Sequence, residues 1–132
     1  MSELSEKLLS TKDLVHLSPV SEEQIKDAEK KLNLKFSLEY RSYVSEFGVA
    51  SADGYELTGI CNSPRLNVVD VTISERENNP DVPNDWYVLE QANIDGIVIW
   101  QNQKGEVYQT QPCREIKMIA NSIVEYISMK QH

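Results

Sequence analysis

An α+β fold is predicted for this chain of 132 residues: a twisted, mainly antiparallel sheet with N-terminal helices and a C-terminal helix packed around it. Three observations predict it. Apolar residues recur at helical spacing up to Gly48, strand-like runs joined by Asp95-Gly96 and Lys104-Gly105 turns follow, and helical spacing returns after Pro112. Helices segregated from strands in this way lack the repeated strand–helix alternation of a doubly wound parallel sheet. A composition 40% hydrophobic and 26% charged fits one domain over residues 1–132 with a single core. Residues 1–17 read as an N-terminal cover segment and 18–127 as the core.

Within the cover segment, Leu4 and Leu8 share one edge of a short helix that ends before Ser18-Pro19. The next helix start is marked fully. Ser21 stands as the N-cap, Gln24 reaches back from the third helical position, and Val20 and Ile25 form a hydrophobic staple. Ile25, Ala28 and Leu32 make the apolar stripe, Lys26, Lys30 and Lys31 turn mostly away from it, and Asn33 is the expected stop. Glu29 falls on that stripe, where a carboxylate needs donors; it is expected to tie the helix to a neighbouring backbone group or tyrosine. A second helix runs from the cap Ser37 through Tyr40, Tyr43, Val44 and Phe47 to Gly48.

Tyr55 to Ile60 reads as extended, and Val68 to Asn78 as a helical turn or short helix despite its valines. Asn78 to Asp85 is a polar, proline-bearing loop, long enough for alternative conformations. Trp86–Glu90, Ile97–Trp100 and Glu106–Gln109 then form an antiparallel meander. Ile97–Trp100, apolar on both faces, is its central strand with cover on each side. After Pro112, Ile116, Ile119, Ala120, Ile123 and Ile127 lie on one stripe of a closing helix.

Charge is distributed unevenly. Between Glu39 and Asp95 eleven acids face Arg41, Arg65 and Arg76, a balance of −8, and the remainder is neutral with ten acids and ten bases. A one-sign field beside apolar strands attracts a basic partner. The sequence pI of 4.7 argues against nucleic acid or anionic lipid as direct ligands. No apolar run reaches a membrane-spanning length, and the first residues lack a secretory pattern, so a cytoplasmic protein is expected. Cys61 and Cys113, far apart and outside any Cys-x-x-Cys pair, are expected to be free thiols.

Chemistry finds little support. His16 lacks a matching nucleophile signature, His132 is terminal, and nothing near Cys61 in sequence would lower its pKa. Glu75 with Glu77, Asp81 with Asp85, and Glu90 with Asp95 are the carboxylate pairs available for acid–base work, with solvated surface as the simpler reading. Asp81–Asp85 lacks the spaced acids of a calcium loop, and no phosphate-binding glycine motif occurs. No catalytic residue, metal or cofactor is expected. The aromatic residues Trp86, Tyr87, Trp100 and Tyr108 fall in the meander, and an exposed Trp86 or Tyr87 would anchor a partner ringed by charge.

The run Ser21–Phe36, followed by Ser37-Leu38-Glu39-Tyr40-Arg41 and Phe47-Gly48, resembles the opening of the SUKH superfamily: a helix with a buried Glu, a short joint, and a second helix ending in glycine. The resemblance continues through Thr72, Arg76, Pro83, Trp86–Glu90, Asp95-Gly96 and Gly105–Tyr108. It implies helices around a twisted sheet, no enzymatic activity, and a place among the stand-alone bacterial immunity proteins paired with LXG-type polymorphic toxins. The partner implied is a basic toxin nuclease domain, an RNase before a DNase. The contact residues expected for it are Glu56, Glu75, Glu77, Asp81, Asp85, Glu90 and Asp95, with Trp86 or Tyr87 as anchor. A regulatory adaptor and a small hydrolase using carboxylates or Cys61 are the alternatives.

Overall fold

The computed structural model describes residues 3–52 and 54–130. His132 lies outside the described residues. Helix α1 (Glu3–Leu9) sets the buried Leu4 and Leu8 against α3 (Leu38–Phe47) and α5 (Ile123–Lys130), and α2 (Glu22–Leu32) packs on α3. The cap signals act as the residue types dictate. Ser21 and Gln24 form a reciprocal capping box, and Asn33 closes α2 in the left-handed conformation at φ 54°. Ser37 caps α3, and Gly48 ends it at φ 70°.

Two antiparallel sheets follow. β1 (Val15–His16), β2 (Ala50–Ala52) and β3 (Tyr55–Glu56) form a small sheet in chain order; β4 (Tyr87–Gln91), β5 (Val98–Gln101), β6 (Val107–Thr110) and β7 (Lys117–Ala120) form the larger one. The two are stitched by Thr58, whose N–H donates to Leu89 O at 2.8 Å and whose hydroxyl donates to Val88 O at 2.8 Å. The predicted extended run past Glu56 is thus a bridge to β4 rather than a longer strand. α4 (Val68–Asn78) lies across β4, where Thr72 Oγ1 accepts the Val88 N–H at 3.0 Å.

Pairing across the large sheet separates its faces. Tyr87, Gln101, Val107 and Ala120 pair in one row, and on this face Tyr87, Leu89, Ile99 and Val107 join the main core with α1, α2, α3 and α5. Val88, Trp100, Tyr108 and Met118 pair in the opposite row. Val71, Val82, Trp86, Val88, Val98 and Trp100 make a second, smaller cluster there, so the expected single core is divided by the sheet. β5 is an inner strand with Val98, Ile99, Trp100 and Gln101 all buried.

The stretch after Pro112 departs from the expected helix. Lys117–Ala120 is a strand, and helix begins only at Ile123. Its register shows why periodicity misleads: Val107 pairs with Ala120 and the next residue, Tyr108, with Met118, so a bulge at Ile119 breaks the alternation that marks a strand.

Candidate functional site

The central acids divide into two groups by their surroundings. Glu39 is part of the interior frame: its Oε1 accepts the Ile123 N–H at 2.7 Å and its Oε2 the Val124 N–H at 3.1 Å, which caps α5. Gln101 Nε2 donates to the same carboxylate at 3.1 Å. Gln101 Oε1 in turn accepts from the Tyr87 hydroxyl at 2.7 Å, and that hydroxyl accepts the Ser37 N–H at 3.0 Å. Tyr87, 0% exposed, therefore belongs to a buried network joining α3, the sheet and α5, and its ring lies inside, where it cannot serve as an exposed anchor.

Glu90 is likewise internal, at 4% exposure. It accepts the Glu56 N–H at 2.6 Å and the Tyr126 hydroxyl, and burial holds its pKa above the ordinary carboxylate value of 4.5. The Glu56 carboxylate is bound by Arg65 at 2.5 and 3.2 Å on a half-exposed site. Glu46, although exposed, accepts from the Ser5 hydroxyl at 2.6 Å. Glu29 sits on the α2 stripe as expected: its Oε2 accepts the Phe36 N–H at 2.8 Å, and its Oε1 receives Arg41 Nη1 at 2.7 Å, so an arginine rather than a tyrosine completes the tie.

The second group stays at the surface. Asp70, Glu77, Asp81, Asp85 and Asp95 are exposed, and Glu75 is half-buried with Gln91 Nε2 donating to it at 2.6 Å. Helix α4 and the loop after it carry most of them in a fixed frame. Asn67 caps α4 by accepting the Val69 N–H at 2.9 Å, while Val68, Val71 and Thr72 face inward. In the loop, Val82 and Trp86 are buried in the second cluster, and Arg76 Nη2 donates to Asn84 O at 2.7 Å and Trp86 O at 3.4 Å. Proline, two apolar pins and an arginine clamp thus hold a segment whose composition alone suggested alternative conformations. Trp86, 7% exposed, is one of those pins and stacks on Tyr108 at a centroid distance of 4.0 Å. It too is not an exposed anchor.

Arg76 is the only base between Val68 and Asp95, where seven acids occur. Its guanidinium is committed to loop carbonyls, and among the described residues no carboxylate stands within ion-pair distance of it. Among the described residues none of the exposed acids Asp70, Glu77, Asp81, Asp85 and Asp95 is in an ion pair, so this stretch presents negative charge to solvent. Glu75 and Asp95 also share a cleft of about 600 Å³ with Asn79, Asn93, Ile94 and Pro112. The fold thereby brings Glu75 and Asp95 together, places Asp81 and Asp85 on the loop end, and withdraws Tyr87 and Glu90.

A family model described as SMI1-KNR4 cell-wall matches residues 1–130. The chain belongs to the SUKH superfamily. No curated protein matches it significantly. The α+β architecture expected from the family resemblance is the one observed, and SUKH membership is consistent with an immunity-type protein that acts through protein partners.

Other candidate groups of this SUKH protein are placed as follows. Cys61 and His16 line one groove of about 810 Å³, but the thiol is directed to Ser63 O at 3.6 Å, and His16 Nδ1 lies 2.8 Å from Leu17 O. Among the described residues no hydrogen bond joins them as nucleophile and base. Cys61 and Cys113 are free thiols. Among the described residues no three His, Cys, Asp or Glu side chains converge as a metal site, and no helix is long and apolar enough to cross a membrane. Sequence reading missed Tyr108 and Met118 as partners on one face; only the strand register, with its bulge, puts them side by side.

Proposed function

We propose that this protein is an immunity protein that binds the nuclease domain, an RNase, of a cognate bacterial polymorphic toxin and blocks its access to nucleic acid. The observation that carries the reading is the set of exposed acids on α4 and the loop after it, outside any ion pair and on a loop pinned by Arg76, Val82 and Trp86, in a SUKH fold. A nuclease surface that binds a polyanion is basic. A fixed acidic face steers association with it and competes for the same charges without any chemistry of its own. Glu75, Glu77, Asp81, Asp85 and Asp95 are the residues proposed to meet the toxin, with Glu56 at the margin because Arg65 already occupies it. The protein works inside the producing cell, where its toxin would otherwise act.

Co-expression with candidate toxin C-terminal domains tests the reading. Rescue is expected for one cognate domain and is expected to weaken when Glu77, Asp81 and Asp85 are each changed to Lys. Rescue from none of them, or capture of several unrelated partners with equal strength, would contradict it.

A further inference from the structure

The outer face of the large sheet is covered on one half only. α4 and the following loop fill the β4–β5 half by setting Val71, Val82 and Trp86 against Val88, Val98 and Trp100. The cross-strand row Val88, Trp100, Tyr108, Met118 runs on beyond that cover. There Tyr108 is half-buried and Met118 is 43% exposed, with Ile116 exposed just before the strand. Trp86 stacks on the Tyr108 ring and fixes it from the loop side.

Two carboxylates bear on this strip. Glu106 accepts from the Tyr108 hydroxyl at 3.2 Å, and Asp85 lies near enough to add to the rise in the pKa of that hydroxyl, which burial begins. Asp81 stands on the same loop, and Lys104 is the base facing Glu106. The neighbouring Lys117 pairs with Gln109 in the row of the opposite face, so it does not offset these acids beside Met118. A purely apolar partner would strip water from the exposed Asp85, and from a Glu106 whose carboxylate already accepts from Asn102 Nδ2 at 2.8 Å and from the Tyr108 hydroxyl, and would offer neither a cation. A second copy docked about a two-fold axis would bring the same acids against themselves.

We propose, resting on the immunity reading above, that the Tyr108–Met118 strip is where the toxin's nuclease domain docks an Arg- or Lys-led segment. The aliphatic stem lies along Met118 and the Tyr108 ring, and the cationic head sits between Asp85 and Glu106. This adds to the acidic face a partly apolar centre of the sort that carries binding energy at protein interfaces.

The test uses the full chain and the toxin domain that it neutralises in co-expression, with affinity measured by titration calorimetry. Met118→Arg is expected to weaken binding about 100-fold through like-charge repulsion, and the double variant Asp85→Asn, Glu106→Gln about 10- to 100-fold. Glu23→Gln, on the exposed face of α2, is expected to bind as the native protein. The urea midpoint of each variant checks folding. Neutralisation of no toxin domain would overturn the immunity reading and this one together. Neutralisation with both strip variants binding at native affinity would overturn the strip alone, as would self-association of the free chain that Met118→Arg abolishes.

Discussion

Replacing Glu39 by Ala removes the carboxylate that caps α5. Two of the helix's unpaired N–H groups, those of Ile123 and Val124, lose acceptors at 2.7 and 3.1 Å. Losing such acceptors costs about 0.5–2 kcal/mol, while Ser122 Oγ still accepts the Glu125 N–H at 3.0 Å. The missing negative charge at the helix N-terminus adds roughly 0.5–1 kcal/mol. Gln101 Nε2 keeps Gly105 O as acceptor at 3.0 Å, so its loss is held to about 0.5–1 kcal/mol. These terms share one carboxylate, and a total near 3 kcal/mol is expected, or a fall in Tm of about 10 °C. Glu39→Gln keeps one acceptor but turns an amide NH2 toward the second N–H, for a loss of about 1–2 kcal/mol. Urea unfolding followed by circular dichroism reads both, with the m-value unchanged. Hydrogen exchange at Ile123 and Val124 is expected to speed up in the Ala variant. A loss under about 1 kcal/mol, or equal losses for Ala and Gln, would refute the capping role.

Glu90→Gln tests the buried carboxylate. Because the folded-state pKa is raised, the ionised group costs stability above that pKa, and the cost disappears as pH falls through it toward the unfolded value. The native protein should therefore gain on the Gln variant as pH falls from neutral to about pH 3, below both the folded and unfolded pKa values; a constant difference over that range would contradict this. Tyr87→Phe leaves the buried Ser37 N–H without the acceptor it holds at 3.0 Å, which should cost about 1–3 kcal/mol in urea unfolding. No shift in midpoint would count against the network. Gly59→Ala would set a Cβ 1.8 Å from Gly48 O. The two backbones must part, at a cost above about 3 kcal/mol or with failure to fold; a folded variant with an unchanged midpoint would show that the contact yields.

The helical part of the fold was legible because its signals are local. Ser21 with Gln24, Asn33, and Ser37 with Gly48 each fix a helix end through contacts a few residues long. β1 and β2 were not legible, since strands of 2 and 3 residues carry no period. β7 reads as helix because Ile116, Ile119, Ala120, Ile123 and Ile127 satisfy a helical stripe, while its bulge removes the alternation that marks a strand. The candidate site was legible as charge but not as geometry. Glu39, Glu90 and Asp85 look alike in composition, and only long-range partners such as Ile123, Tyr126 and Tyr108 separate the interior acids from those at the surface. Trp86 and Tyr87 likewise carry the mark of anchors until the loop and α3 are seen to bury them.

The salt dependence of association tests the central claim, that the surface acids of α4 and its loop meet a basic toxin. Stopped-flow association with the neutralised toxin domain, from low to physiological ionic strength, should show an on-rate that falls steeply with salt. Asp81→Lys with Asp85→Lys should slow the rate at low salt and flatten that slope, with the urea midpoint unmoved. An on-rate and slope unchanged by the double reversal would contradict the account.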